Sequence, residues 1–134
     1  MIVVDSNIIA YCWVHGPLTP LAQRVRVKDP DWHVAILWRS EMRNILTGYL
    51  RDGSLTRSQI AHIMDATEGA LEGSEHLVPS APVFEIVGKS RLSAYDCELV
   101  ALASVLTVPL VTADRAVLKA FPEQALTMER FLDG

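Results

Sequence analysis

Four acidic residues occupy similar places in the chain, each just after a predicted strand or in the first turn of a predicted helix. They are Asp5, Glu41, Asp96 and Asp114. Carboxylates within a few ångströms of one another repel, and their pKa values rise unless a cation neutralises them. Oxygen ligands without His or Cys select hard cations such as Mg²⁺ or Mn²⁺. Such an ion polarises a phosphoryl oxygen and activates a water, so the four acids would together suit hydrolysis of a phosphodiester.

Asp5 is placed by the apolar, β-branched run 2–4, which is typical of a strand buried on both faces. Ser6 and Asn7 follow directly and are expected to cap a helix that begins with Ile8. Asp5 should therefore lie at the carboxyl end of a buried strand. In open α/β sheets that edge is where ligands bind.

Glu41 falls on a helix predicted over 37–51, at the border of an apolar stripe that includes Met42 and Leu46. This position predicts a half-sheltered carboxylate, one turn into a helix that starts at the sheet edge. The structural alternative is a solvated glutamate on the flank of the helix, paired with Arg39 or Arg43.

The last two acids also have a structural alternative. Asp96 completes a capping box with Ser93 at the start of a helix that is apolar on every side, predicted over 93–106. Asp114 follows the buried strand predicted over 109–112 and could simply cap the next helix. Each alternative is reasonable for one acid. Four such acids at strand ends and adjoining helix starts favour a shared site.

Strands alternate with helices along the whole chain, which predicts an α/β sandwich with a parallel sheet and right-handed crossovers. No repeat or linker divides the sequence, and its length fits one domain over 1–134. The expected strands cover 2–4, 32–36, 75–78, 109–112 and, as an edge strand, 125–128. The expected helices begin at Ile8 and cover 18–28, 37–51, 57–71, 83–89, 93–106 and 114–121.

Composition limits the classes of function. The net charge is -4 and the pI is near 5.5, so the basic surface of a passive nucleic-acid-binding module is absent. The negative net charge is weaker evidence against a metal-dependent nuclease, because such an enzyme has clustered acids whose charge is neutralised by bound cations. The basic residues that could follow an RNA strand are Arg39, Arg43, Arg51, Lys89, Arg91 and Arg115.

Cysteines, histidines and apolar stretches indicate an ordinary intracellular protein. Cys12 and Cys97 lie in apolar helical patterns and are expected to be buried thiols. The four histidines are scattered, so no zinc site is expected. No signal peptide is visible, and the most apolar stretch, 99–111, is too short to span a bilayer. A cytoplasmic location without membrane contact is expected.

In four segments the chain resembles the PIN-domain ribonucleases, and within them the VapC-type toxins of bacterial and archaeal toxin–antitoxin systems. The segments are residues 2–7 (IVVDSN), Glu41, residues 95–103 (YDCELVALA) and residues 110–114 (LVTAD). No single motif is specific, but the ordered set extends over essentially the whole chain.

The resemblance implies a PIN-like three-layer α/β/α sandwich and an endoribonuclease that depends on Mg²⁺ or Mn²⁺. It assigns Asp5, Glu41, Asp96 and Asp114 as catalytic metal ligands, with Thr112 in a supporting role and Ser6 and Asn7 as further polar residues of the site. It also implies a homodimer and a cognate antitoxin whose tail fills the active-site groove. The helices at 18–28 and 57–71 would then be the partner surfaces.

Two other phosphotransfer folds also place an acid after a buried strand. A haloacid dehalogenase needs a second Asp two residues later, where this chain has Asn7, and a receiver domain needs paired acids and a late lysine that are missing here. The alternative from another class is a PIN-like protein that acts as a non-catalytic binding or regulatory partner. The presence of all four acids favours the enzyme.

Overall fold

Residues 2–4 form the central strand of a five-stranded sheet in the computed structural model, which describes residues 1–134. The strands are β1 (Ile2–Val4), β2 (Trp32–Ala35), β3 (Glu75–His76), β4 (Leu110–Val111) and β5 (Ala125–Leu126). Their order is β3-β2-β1-β4-β5, and every pairing is parallel. Val3 lies beside His33 on one side and beside Leu110 on the other.

Eight helices cover the two faces of this sheet. They are α1 (Ser6–Trp13), α2 (Thr19–Lys28), α3 (Trp38–Arg51), α4 (Arg57–Ala70), α5 (Ser80–Val87), α6 (Ala94–Leu106), α7 (Arg115–Ala120) and α8 (Met128–Asp133). Helices α1–α4 and α8 share one core with Ile2 and Val4, whereas α5–α7 share the other with Val3. Successive side chains of a strand point to opposite faces, so both faces of β1 are buried. The predicted three-layer α/β/α sandwich with a parallel sheet is confirmed.

Several predicted boundaries need correction. Asp5 itself caps α1, because its carboxylate accepts a hydrogen bond from the Ile8 N–H, and Ser6 and Asn7 are the first residues of the helix. The short helix α8 was not predicted, although Thr127 caps it in the usual way. The third strand is only two residues long, since Leu77 beyond it is 84% exposed.

Helix α6 is less enclosed than its sequence predicts. Cys97 and Val100 are fully buried against the sheet, but Val105 on the outer side is 55% exposed. The helix packs on α5 and on strands β1, β2 and β4, so its inner face and one flank are covered. None of the helices combines the length and the hydropathy needed to cross a membrane.

Two of the histidines described as scattered in fact lie side by side. Because β2 and β3 are neighbours, Nδ1 of His33 and Nε2 of His76 are 2.7 Å apart, and Nε2 of His33 is 2.9 Å from Oδ1 of Asp31. Both cysteines are free thiols, Cys97 buried and Cys12 half-buried.

Candidate active site

All seven residues that the sequence assigns to the site line one pocket of about 200 Å³. They are Asp5, Ser6, Asn7, Glu41, Asp96, Thr112 and Asp114. The pocket opens where β1 and β4 end and where α1, α3 and α6 begin. The parallel sheet therefore collects, at its carboxyl edge, side chains that are far apart in the chain.

Asp5 is the most firmly held of the four acids. It is 6% exposed, and one carboxylate oxygen accepts the Ile8 N–H at 3.0 Å. The other oxygen accepts the Thr112 hydroxyl and, at 3.4 Å, the Ala113 N–H. With both oxygens engaged, the carboxylate is fixed between the start of α1 and the end of β4.

Thr112 connects two of the acids. Its hydroxyl donates to Asp5 and accepts the Asp114 N–H at 3.0 Å. Asp114 in turn caps α7, because one of its carboxylate oxygens accepts the N–H groups of Ala116 and Val117. The structural role expected for Asp114 is thus present, and the residue still lines the pocket.

Glu41 reaches the pocket from α3. Ser6 donates its hydroxyl to Oε1 of Glu41 at 2.8 Å, which leaves the second carboxylate oxygen without a protein donor. Glu41 forms no ion pair with Arg39 or Arg43, but the residue is exposed, so the alternative of a solvated glutamate on the helix flank holds in part. Arg39 instead binds the Glu75 carboxylate through two contacts of 2.7 Å, which removes it from the basic residues free to follow an RNA strand.

Asp96 enters from the first turn of α6. Its backbone N–H donates to the Ser93 hydroxyl at 3.2 Å, which is one half of the predicted capping box. The Asp96 carboxylate also interacts with the Ser93 hydroxyl, which opposes the rise in its pKa that burial causes, and the residue is half-buried. No second partner within the chain holds this carboxylate, so it can still bind something in the pocket.

Burial and mutual repulsion disfavour the charged forms of these acids. Burial raises the pKa of Asp5, and the nearby charge of Asp114 raises it further, against the lowering effect of the Thr112 hydrogen bond. Burial of its carboxyl raises the pKa of Glu41, as do the charges of Asp5 and Asp96. Burial and the charge of Asp114 likewise raise the pKa of Asp96. A cation in the pocket would relieve this cost.

The types of oxygen atom in the pocket favour a metal ion, whereas the spacing of the side chains does not. Carboxylate and hydroxyl oxygens are the ligands that Mg²⁺ and Mn²⁺ prefer. As the side chains stand, however, no three His, Cys, Asp or Glu residues could hold a metal ion between them. Magnesium usually keeps several waters and binds through only one or two carboxylates. The residues fit a partly hydrated Mg²⁺ or Mn²⁺, not a closed cage of protein ligands.

Sequence reasoning missed four residues of the pocket wall, which are Asn44, Ile45, Leu99 and Val117. Asn44 is the only polar member and lies three residues after Glu41 on α3. Residues three apart share a helix face, so this spacing was the signal that could have identified it.

Comparisons with known proteins give a fold but no family. No protein-family model matches the chain, and no curated protein matches it. Among solved structures, PAE2754 from Pyrobaculum aerophilum is 18% identical with a TM-score of 0.76, covering 98% of this chain and 93% of that one. FitAcB from Neisseria gonorrhoeae is 15% identical with a TM-score of 0.75, covering 96% and 99%. A toxin–antitoxin complex from Klebsiella pneumoniae is also 15% identical, with a TM-score of 0.69 and coverage of 96% and 98%.

These findings correct the identification made from the sequence. A VapC-type PIN-domain toxin is not what they support, because no family model matches and these three solved structures are only 15–18% identical to the chain. What they do support is a chain whose fold, over nearly its whole length, is that of PAE2754, of FitAcB and of a structure described as a toxin–antitoxin complex.

Proposed function

We propose that this chain is a metal-dependent endoribonuclease that hydrolyses RNA phosphodiester bonds as the toxin component of a toxin–antitoxin pair. The observation that carries the proposal is the convergence of Asp5, Glu41, Asp96 and Asp114 on one pocket at the carboxyl edge of the sheet. Residues 1–134 would act as a single domain, in the cytoplasm.

The ligands of Mg²⁺ or Mn²⁺ would be Asp5, Asp96, Asp114 and Glu41, directly or through water. When bound, the ion would neutralise charge on the phosphodiester and lower the pKa of a bound water. The hydrogen bond from Thr112 holds the carboxylate of Asp5 in place and opposes the rise in its pKa that burial causes. Asn7 and Asn44 offer amide groups at the rim of the pocket for the sugar-phosphate backbone.

Glu41 is the best candidate for the general base. Its Oε1 is held by Ser6, so the orientation of the free oxygen is fixed. That oxygen, which has no protein donor, is the one that could accept a proton from an attacking water. Glu98, whose charge also raises the pKa of Glu41, lines a different pocket.

The toxin role draws on the structure from Klebsiella pneumoniae, which is described as a toxin–antitoxin complex. A cognate antitoxin and a homodimer are part of the proposal. The apolar side chain of Val27 on α2, which is 85% exposed, is available for such contacts. Light scattering on the purified chain measures whether it forms a dimer.

The alternative is a non-catalytic binding or regulatory partner with the same fold. One observation favours it, namely that no three of the acids stand close enough to hold a metal between them. The two functions differ in whether the pocket performs chemistry.

Cleavage of a total-RNA pool containing tRNA and rRNA tests the proposal. The assay runs with Mg²⁺ or Mn²⁺, with EDTA, and with the Asp96→Asn variant. We expect discrete fragments that disappear in EDTA and in the variant. Phe84→Leu, a change of an exposed side chain outside the pocket, serves as the matched control. Intact RNA after incubation with folded protein and Mn²⁺ would favour the non-catalytic partner.

A further inference from the structure

A second pocket, here called the aromatic pocket, continues directly from the acidic one. Its volume is about 300 Å³, and it lies between α1, the α1–α2 connection and α3. Asn7 and Ile45 line both pockets, so the two pockets adjoin along these residues.

The walls of the aromatic pocket suit a flat group with a polar edge. Tyr11 and Tyr49 contribute two aromatic rings, and Asn7, which is exposed, contributes an amide at the junction with the acidic pocket. No hydrogen bond within the chain uses the hydroxyl of either tyrosine or the Asn7 side chain. Aromatic faces with free donors and acceptors beside them are how proteins bind unpaired nucleobases.

The pocket is built in advance of any ligand. The hydroxyl of Thr19, a residue that is 7% exposed, lies 2.7 Å from the Tyr11 carbonyl and 3.1 Å from the Val14 carbonyl. It also accepts the Gly16 N–H at 3.0 Å. These bonds hold the α1–α2 connection, which forms one wall, against the helix that carries Tyr11.

Charge argues for a base and not for a phosphate in this pocket. No Asp, Glu, Lys or Arg lines it, and the imidazole of His15 is the one side chain there that could pair with a phosphate group. The chain as a whole carries a net charge of -4, and the attraction to the RNA backbone that dominates most nucleic-acid binding is therefore weak. Contacts to bases must then provide much of the affinity.

We propose that the aromatic pocket binds one unpaired nucleobase of the RNA, next to the phosphate in the acidic pocket, and so sets the sequence preference of cleavage. This inference rests on the proposed ribonuclease function for its choice of RNA as the ligand. Tyr11 and Tyr49 are specificity-determining residues that stack on the base, and Asn7 reads its edge.

Binding of defined single-stranded RNA tests this without relying on catalysis. The probes are fluorescein-labelled decamers of A, C or U and a ribose-phosphate decamer without bases, measured by fluorescence anisotropy with Asp96→Asn protein in Mg²⁺. Loss of base stacking weakens binding about tenfold or more. We expect the baseless decamer to bind weaker by at least this factor than the best of the three base-bearing decamers.

Substitutions locate the effect. Tyr49→Leu and Tyr11→Leu should each bring binding of the preferred decamer close to that of the baseless one. Phe84→Leu removes an aromatic ring that is 67% exposed elsewhere on the surface and should leave binding unchanged. Circular dichroism melts show whether each variant is folded, and Tyr49→Leu, at a position that is 37% exposed, keeps the test valid if Tyr11→Leu is unstable.

Two results would overturn the inference. One is equal binding of baseless and base-bearing decamers. The other is unchanged binding by folded Tyr49→Leu protein, as expected if the pocket instead receives a side chain of a protein partner. Neither depends on cleavage. If the wild-type chain cuts RNA but Tyr49→Leu leaves RNA binding unchanged, the ribonuclease function is supported and the base site is not. If the chain does not cut RNA but Tyr49→Leu weakens RNA binding, the base site is supported and the ribonuclease function is not.

Discussion

Thr112→Val removes the hydroxyl that connects two acids of the pocket while keeping the shape of the side chain. Thr112 is 2% exposed, so water cannot replace the lost group. A hydrogen bond to a charged acceptor contributes about 1.5–3 kcal/mol, and the Asp114 N–H loses its acceptor as well. We expect a loss of about 2–3 kcal/mol in the free energy of unfolding. For a chain of this length that corresponds to a fall in Tm of roughly 10 °C.

Thr67→Val is the matched control. Thr67 is 0% exposed, but its hydroxyl donates to the backbone carbonyl of Met64 at 2.9 Å, which is a neutral acceptor within the same helix. This substitution should cost about 1 kcal/mol. Urea unfolding of both variants measures the difference.

A double-mutant cycle with Asp5→Asn checks the cause. An amide oxygen is a weaker acceptor than a carboxylate, so Thr112→Val should cost about 1 kcal/mol less when Asp5 is already Asn. If Thr112→Val costs no more than Thr67→Val, or if the cycle gives no coupling, the charged hydrogen bond does not hold the pocket together as described.

Three further perturbations test other parts of the structure. Millimolar Mn²⁺ should raise the Tm in a thermal-shift assay, by the equivalent of about 2.7 kcal/mol at a hundredfold excess over Kd. The Asp5→Asn, Asp96→Asn double variant should lose that rise, and an unchanged rise would mean that the metal binds elsewhere. Burial, and then the charge of His33, lowers the pKa of His76 below its ordinary value of 6.5. As the pH falls, His76 is therefore protonated in the unfolded chain before it is protonated in the folded one, and the stability of the fold should decrease below about pH 6.5. Urea unfolding at pH 7.5 and 5.5 should show a smaller pH dependence in His76→Gln, and an equal dependence would contradict this assignment. Thr107 has a left-handed backbone conformation with a φ of 57°, which is costly for a β-branched residue. Thr107→Gly should therefore stabilise the chain by about 1 kcal/mol in the same assay, and a loss of stability would mean that the backbone is not strained there.

Much of the fold was predictable because local patterns carry it. The runs at 2–4 and 109–112 are short and mainly apolar, an acid follows each within two residues, and the strands β1 and β4 formed there. Thr56 caps α4 with Gln59 in a full capping box, which is a signal of the same local kind. Helix α8 is only six residues long, too short for a periodic pattern to stand out.

The parts of the site that were not predictable depend on which strands lie side by side. Nothing near His33 in the sequence indicates that β3 will place His76 beside it. The bonds from Ser6 to Glu41 and from Thr112 to Asp5 likewise join residues from different elements. The sequence identified the residue types, but the sheet order decides which of them meet.

The hydrogen bond between Thr112 and Asp5 joins residues 107 positions apart, and it can form only once β4 has paired with β1. During translation Asp5, Glu41 and Asp96 all leave the ribosome before Thr112 does. A nascent chain therefore carries three of the four acids before the pocket can assemble. Under the proposed ribonuclease function, this order of events would postpone activity until β4 has been made and has paired with β1.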